Sequence, residues 1–381
     1  MAIANTNTEM TRINPLAALT WHRLKVNNAP VRLEDPASVN RAECRIEGNT
    51  GADHQTREVS DNLSGALSAD LPGSQNEIQD KSLSEIRTGA GEAFADWVRN
   101  TEIEAVRISA EENSEPVRMH IGSAETAHTA VLPVEITVED NKELTVIMDL
   151  TDASKPCRGA MAVQTRIKAG TGARVKLVQL QLTKYAAQVY TDIGAVAGGN
   201  ARIEIVQLFA GGADVYAGSE IALRGDGSSS QVFIGYRGAG EGKLDFNYNA
   251  VHIGKNTDSS MTVNGVLRDS SRKTFRGTID FKTGSSGAVG AETEDVLLLG
   301  ETVVNKTVPL ILCAEEDVKG SHGATIGRLD EEMLFYLGSR GISEEKAVDL
   351  MAGARIGRII REIGDETAEQ EAKAFLGIEE E

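Results

Sequence analysis

From about residue 102 to 318 the apolar positions fall in short bursts. Val131–Val138, Leu144–Leu150, Val175–Leu182, Ile203–Phe209, Val232–Tyr236 and Val296–Leu299 are rich in Val, Ile and Leu. Gly, Ser, Asn and Asp clusters separate them. Runs this short with turn punctuation predict strands and not helices. Outside that span the pattern changes. Residues 34–80 carry scattered apolar positions among polar ones and read as loop or weakly ordered structure. A helix is expected from about 81 to 99, where Ile86, Ala90, Ala93, Phe94 and Trp97 fall at spacings of three and four. After about 325, Leu329, Met333, Tyr336 and Leu337 line one face of a helix, broadened by Leu334 and Phe335 and started by Asp330 or a neighbour. Gly341 stops it and Ser343 caps a second helix over 344–363, with Ala347, Leu350, Met351, Ala354, Ile360 and Ile363 as its stripe. The acidic tail from Asp365 holds a short helix around Glu369–Phe375. Three regions follow: 1–101 helical or irregular, 102–324 β, and 325–381 helical.

The β region repeats. Gly170, Ala173, Arg174, Val178, Gln179 and Leu180 recur 28 residues on as Gly198, Ala201, Arg202, Val206, Gln207 and Leu208. Glycine-led turns return at Gly225, at Gly254 and near Thr283. A period of this size, with strands and turns but no helix in each unit, predicts stacked coils. The fold expected is mainly β, a right-handed parallel β-helix, with inward ladders of Val, Ile and Leu and with Gly or Asn at corners that need positive φ. An antiparallel sandwich is the competing arrangement.

Composition fits. There are 38 glycines, 8 prolines and only 4% aromatics, so the core must be built from aliphatic residues, as thin β layers allow. The formal charge of −18 disfavours nucleic acid and anionic membrane surfaces as partners. Cys44, Cys157 and Cys313 form no C-x-x-C pair and suggest reduced thiols in a cytoplasmic protein. The start shows no secretory signal pattern, and no apolar run reaches membrane-spanning length.

Catalytic motifs are scarce. Arg237–Leu244 fails as a phosphate loop: its first glycine is missing and Leu244 stands where Ser or Thr must touch magnesium, so no ATP is expected on this chain. There is no nucleophile elbow and no H-E-x-x-H motif. Asp317, Ser321 and His322 are too close in sequence for a hydrolase triad. Glu315 and Glu316 would face opposite ways on a strand, which makes them a poor glycosidase couple. His322, flanked by Gly320 and Gly323 where β texture ends, could expose a ring nitrogen as a metal or cluster ligand, or bond only a backbone carbonyl. The Met333–Leu337 face is either core or partner surface.

Two strings are specific: Glu316–Gly327, containing Ser321-His322-Gly323-Ala324-Thr325, and Leu329–Ile342, containing Leu334-Phe335-Tyr336-Leu337 and Ser339-Arg340-Gly341-Ile342. With Arg272–Ile279, Leu297–Leu299 and Pro309-Leu310 they resemble the SufB/SufD family of iron–sulfur cluster assembly scaffolds. Leu19–Asn27 and the length resemble the shorter SufD branch. The resemblance implies a non-catalytic scaffold with a parallel β-helix flanked by helical regions. It implies pairing with a SufB-like subunit through the β-helix and with a SufC-like ABC-type ATPase through the carboxy-terminal helices. It further implies a transient iron–sulfur cluster shared with SufB, assembled from iron and sulfide. His322 matches the family histidine at that interface. Gly320 stands where some relatives have cysteine, so cysteine ligands would come mostly from SufB. Cys313 is expected in the core. Met333, Phe335, Tyr336 and Arg340 fall in the ATPase-contacting region. A self-pairing SufB-like scaffold, a homodimer when isolated, and a β-helix polysaccharide enzyme are the alternatives.

Overall fold

A computed structural model describes residues 10–20, 22–47, 57–58, 81–110, 115–122, 128–150, 160–183, 188–211, 214–329 and 331–378. Trp21, Cys157, Asp330 and most of 48–80 lie outside the described residues.

Two long sheets face each other across one core. The first contains β3 (Asn40–Arg41), β6 (Val106–Ala110), β8 (Ala130–Val138), β10 (Ala160–Ala169), β12 (Gln188–Ala197), β14 (Asp214–Leu223), β16 (Lys243–His252), β18 (Arg272–Phe281) and β20 (Val304–Cys313). The second contains β4 (Glu43–Glu47), β5 (Arg57–Glu58), β7 (Val117–Gly122), β9 (Glu143–Asp149), β11 (Arg174–Gln181), β13 (Arg202–Phe209), β15 (Ser229–Gly238), β17 (Asp258–Arg268), β19 (Ala288–Leu299) and β21 (Val318–Arg328). From β8 onward the chain alternates between the sheets, and each strand pairs in parallel with the strand two places on. That is a parallel β-helix. The 28-residue repeat is its register: Arg174 lies against Arg202 and Leu180 against Leu208. The step then varies, from Gln188 against Asp214 to Arg272 against Val304, because the loops between strands change length.

The corners explain the glycines. Asn141, Gly172, Asn200, Gly227, Asn256 and Gly287 all have φ between 52° and 78° and stack one above another. Each donates its backbone N–H to the carbonyl of the next coil, as Gly172 does to Gly199 at 2.7 Å and Asn200 to Asp226 at 2.9 Å. Asn and Gly alternate for a steric reason. A Cβ on Gly172 would overlap the Asn141 side-chain oxygen, and one on Gly227 would overlap that of Asn200.

The interior is aliphatic with polar inserts. Val146, Leu177, Ile193, Ile205, Ile221 and Val263 are fully buried in one cluster. Among them, Gln207 donates to Gln179 Oε1 at 2.7 Å and Tyr248 donates to Gln207 Oε1 at 2.5 Å, so the Gln179 and Gln207 amides answer each other inside the core.

The amino-terminal region departs from expectation. Part of the supposed loop 34–80 is strand: β3 extends the first sheet, and β4 pairs antiparallel with β7. The helix expected over 81–99 is two pieces, α1 (Lys81–Ser84) and α2 (Glu92–Arg99). Gly89 and Gly91 break it. A Cβ at Gly89 would strike the backbone of Gly218 and Ser219, and Gly91 has φ 89°. Ile86, Phe94 and Trp97 are buried as expected, whereas Ala93 is exposed. Strands β1 (Met10–Ile13) and β2 (Ala29–Arg32) form an antiparallel pair fastened to the first sheet's outer face. Asn14 and Arg276 both donate to Asp245, at 3.0 and 2.6 Å, and Asn247 donates to the Gly89 carbonyl at 2.8 Å.

The carboxy-terminal region contains α3 (Glu331–Ser339), α4 (Glu344–Ile360) and α5 (Glu366–Leu376). Ser343 accepts from the Lys346 N–H at 3.3 Å and Asp365 from that of Ala368 at 2.9 Å, which caps α4 and α5. Ile356, Ile359, Ile360, Ala368 and Ala372 pack on Val178, Val206, Leu180 and Leu208, on the outer face of the second sheet. Leu350 and Ala354, expected on the buried stripe, are exposed.

Candidate functional site

β20 and β21 are the last strands of their sheets. Among the described residues they form a coil with one neighbour instead of two, and their outer edges pair with no further strand. The last strand continues to Arg328, past the boundary that the sequence texture places at 324. On β19 the residues at alternate positions, Ala288, Gly290, Glu292 and Glu294, are buried and face inward. Gly320, His322 and Ala324 pair with Gly290, Glu292 and Glu294, and parallel partners share a face. His322 therefore belongs to the inward row of the final coil, and it is exposed because no further coil among the described residues covers it. Cys313 pairs with buried Phe281 yet is itself exposed. The expectation that it is core fails because the end coil has no lid.

Immediately below lies a charged cluster that the motif reading missed. Lys273 and Glu294 are an ion pair with both side chains fully buried. Thr307 of the last coil accepts from Lys273 at 3.1 Å and donates to Glu294 at 2.6 Å. Glu292 is 3% exposed and fills the space above Gly277 that a side chain there would need. Burial pushes its carboxyl up to about 7, the neighbouring Glu294 charge adds to this, and Lys273 opposes it. Burial likewise lowers the Lys273 ammonium below its ordinary value, against the pull of Glu294. A signal was present: Lys273 sits in phase with Phe275, Ile279 and Phe281, so period two places it inside.

The chemistry of the donor set is limited. Among the described residues no group of three or more His, Cys, Asp or Glu is placed to hold a metal ion. His322 can offer one ring nitrogen, and the described residues alone do not supply a set of three or more ligands around it.

The second surface is α3. None of its residues is buried; Phe335 is 81% exposed, Tyr336 52% and Met333 44%. The Arg340 guanidinium lies 5.2 Å from the Tyr336 ring centre, a cation–π pair at the surface. All four expected contact residues are exposed, in or directly after α3, and separate in sequence from His322. Among the described residues no helix is long and apolar enough to cross a membrane.

Fold and site together define a β-helical protein whose last coil is uncovered among the described residues and is followed in the chain by a helix with exposed aromatic side chains. Residues 120–355 match the family described as SUF system FeS cluster assembly, SufBD core domain, and the chain belongs to that family. Within it the chain is SufD-like. It is 26% identical over 231 residues to the iron–sulfur cluster assembly protein SufD of Bacillus subtilis, an alignment covering 60% of this chain and 53% of that one. Over 112 residues it is 34% identical to SufD of Escherichia coli, covering 29% and 26%. A chloroplastic SufBD family protein of Arabidopsis thaliana is 25% identical over 240 residues, covering 61% and 43%. The chain thus spans between about a quarter and about half the length of these curated relatives.

Proposed function

We propose that this chain is a non-catalytic scaffold subunit of a SufBCD-type complex. It pairs through its open coil with a SufB-like subunit and through α3 with a SufC-like ATPase that supplies the nucleotide chemistry. The uncovered final coil, with His322 in its inward row, carries the reading: a free strand edge with exposed interior positions calls for a second β-helix end. In that pairing His322 contributes one nitrogen to a nascent iron–sulfur cluster, the cargo of the complex, while thiolates come from the partner. Phe335, Tyr336, Met333 and Arg340 form the ATPase contact, since exposed aromatics beside an arginine are the usual anchors of protein interfaces.

Co-expression with SufB-like and SufC-like subunits, followed by size exclusion with light scattering, tests the pairing. One complex containing all three is expected. A chain that runs alone or only as a homodimer in the presence of both overturns it. His322→Ala should leave that complex intact and reduce the iron and acid-labile sulfide it retains. Unchanged iron and sulfide would remove the ligand role.

A further inference from the structure

The outer face of the second sheet changes character along the β-helix. One outward row runs Val178, Val206, Phe233, Thr262, Thr293, Gly323 across successive strands. The adjacent row runs Leu180, Leu208, Gly235, Asn264, Asp295, Thr325. The apolar halves lie under α4 and α5, and α4 approaches closely enough that a Cβ on Gly235 would sit 3.3 Å from Ile359. In the polar halves α4 is held by polar contacts, Asn264 donating to the Arg355 carbonyl at 2.9 Å and Asp295 pairing with Arg355, while Thr262, Thr293 and Thr325 are left open. Between them and the last turns of α4 is an open cleft of about 720 Å³.

Its wall carries Arg358 and Arg361, three residues apart, and both are exposed. Other charges nearby are largely answered: Asp295 pairs with Arg355 at 2.5 Å, Glu294 with Lys273, and Lys176 with Glu204 at 2.8 Å. No hydrogen bond or ion pair within the chain occupies the Arg358 or Arg361 guanidinium among the described residues. Glu362 is the acidic residue left on the rim. The floor exposes the Thr262, Thr293 and Thr325 hydroxyls, and an apolar helix laid on it would strand them. Two unanswered guanidinium groups on a chain of charge −18 select for carboxylates.

We infer that this cleft is a second docking surface, occupied by an acidic hydrophilic segment of the ATPase partner. The inference rests on the reading that α3 docks that ATPase, because α3 and α4 are consecutive and would present both surfaces to one protein.

The test measures binding of the full-length chain to the ATPase and, separately, to the SufB-like subunit, at low and at physiological salt. The charge-reversed double variant Arg358→Glu/Arg361→Glu is compared with wild type and with Phe335→Ala. Expected is about a tenfold loss of ATPase affinity for the double variant, with a shallower salt dependence, and no change for the SufB-like subunit. Circular dichroism should show the double variant folded, since both side chains are exposed. If Phe335→Ala weakens ATPase binding and the double variant does not, the cleft proposal is overturned and the α3 reading stands. If the double variant weakens only the SufB-like subunit, the occupant is wrong and the proposal fails. If wild type binds no ATPase, the α3 reading and the cleft proposal both fall.

Discussion

Ile205 and Ile311 hold inward positions on the β-helix, one in the middle and one in the final coil. Ile205 is fully buried, with coils on both sides. Ile311 is only partly buried, packed on Ile279, Phe281 and Ala288 below. The same coil plan thus produces core in one place and surface in another, and what differs is the presence of a next coil. A β-helix cannot end without exposing the row it would otherwise bury, so its terminal coil must be capped or paired. Here the middle serves stability and the end serves contact.

The sharpest way to break that contrast is to truncate both isoleucines. Ile205→Ala should cost about 3–4 kcal/mol in denaturant unfolding, through lost burial and a cavity in a closed core, and Ile311→Ala about 1 kcal/mol. Equal costs would mean that the end is as closed as the middle. Corners give the next largest effect. Gly172→Ala meets both a left-handed backbone and the Asn141 side chain, so a loss of about 2–3 kcal/mol is expected. Gly341→Ala pays for φ 84° alone, with open space around it, and should lose about 1 kcal/mol.

The third effect depends on pH. Glu292 keeps its proton in the folded chain up to about 7 but ionises in the unfolded chain in the ordinary carboxyl range. Between those limits the folded state binds more protons, so this group's contribution to stability falls as pH rises. Glu292→Gln removes that slope. Relative to wild type it should be near neutral at pH 4.5 and more stable by on the order of 2 kcal/mol at pH 8, read by urea unfolding at both values. A difference that does not change with pH would place the carboxyl in contact with water. The smallest effect is the most diagnostic of function. Phe335→Ala should change stability by less than about 0.5 kcal/mol, since the ring is exposed, while lowering ATPase affinity about tenfold. A large shift in thermal midpoint would make Phe335 core instead.

Much of the β-helix was legible because its period is written in side chains that stack. Gly170–Leu180 and Gly198–Leu208 match since Arg174 and Arg202 are register partners on adjacent parallel strands, and corner positions admit only residues that tolerate positive φ. Later coils blur because loop lengths change while strand register is kept. The helix break at Gly89 and Gly91 was hidden because its cause is the backbone of Gly218, far away in sequence. Cys313 misled for a related reason: strand periodicity fixes which way a side chain points, but not whether another coil will cover it. His322 and the aromatic helix were found through motif strings, whereas Lys273, Glu292 and Glu294 required following period two into a charged stretch.

The seating of α4 has a mechanical corollary. Its buried face rests on β13, β15 and β17, three successive coils of one sheet. A load applied through α3 and α4 therefore acts on those coils in shear, across many parallel backbone bonds at once, instead of unzipping a single strand. The stack would turn as a stiff lever, and the displacement would be felt at the seam beyond β21, where no further strand among the described residues resists it.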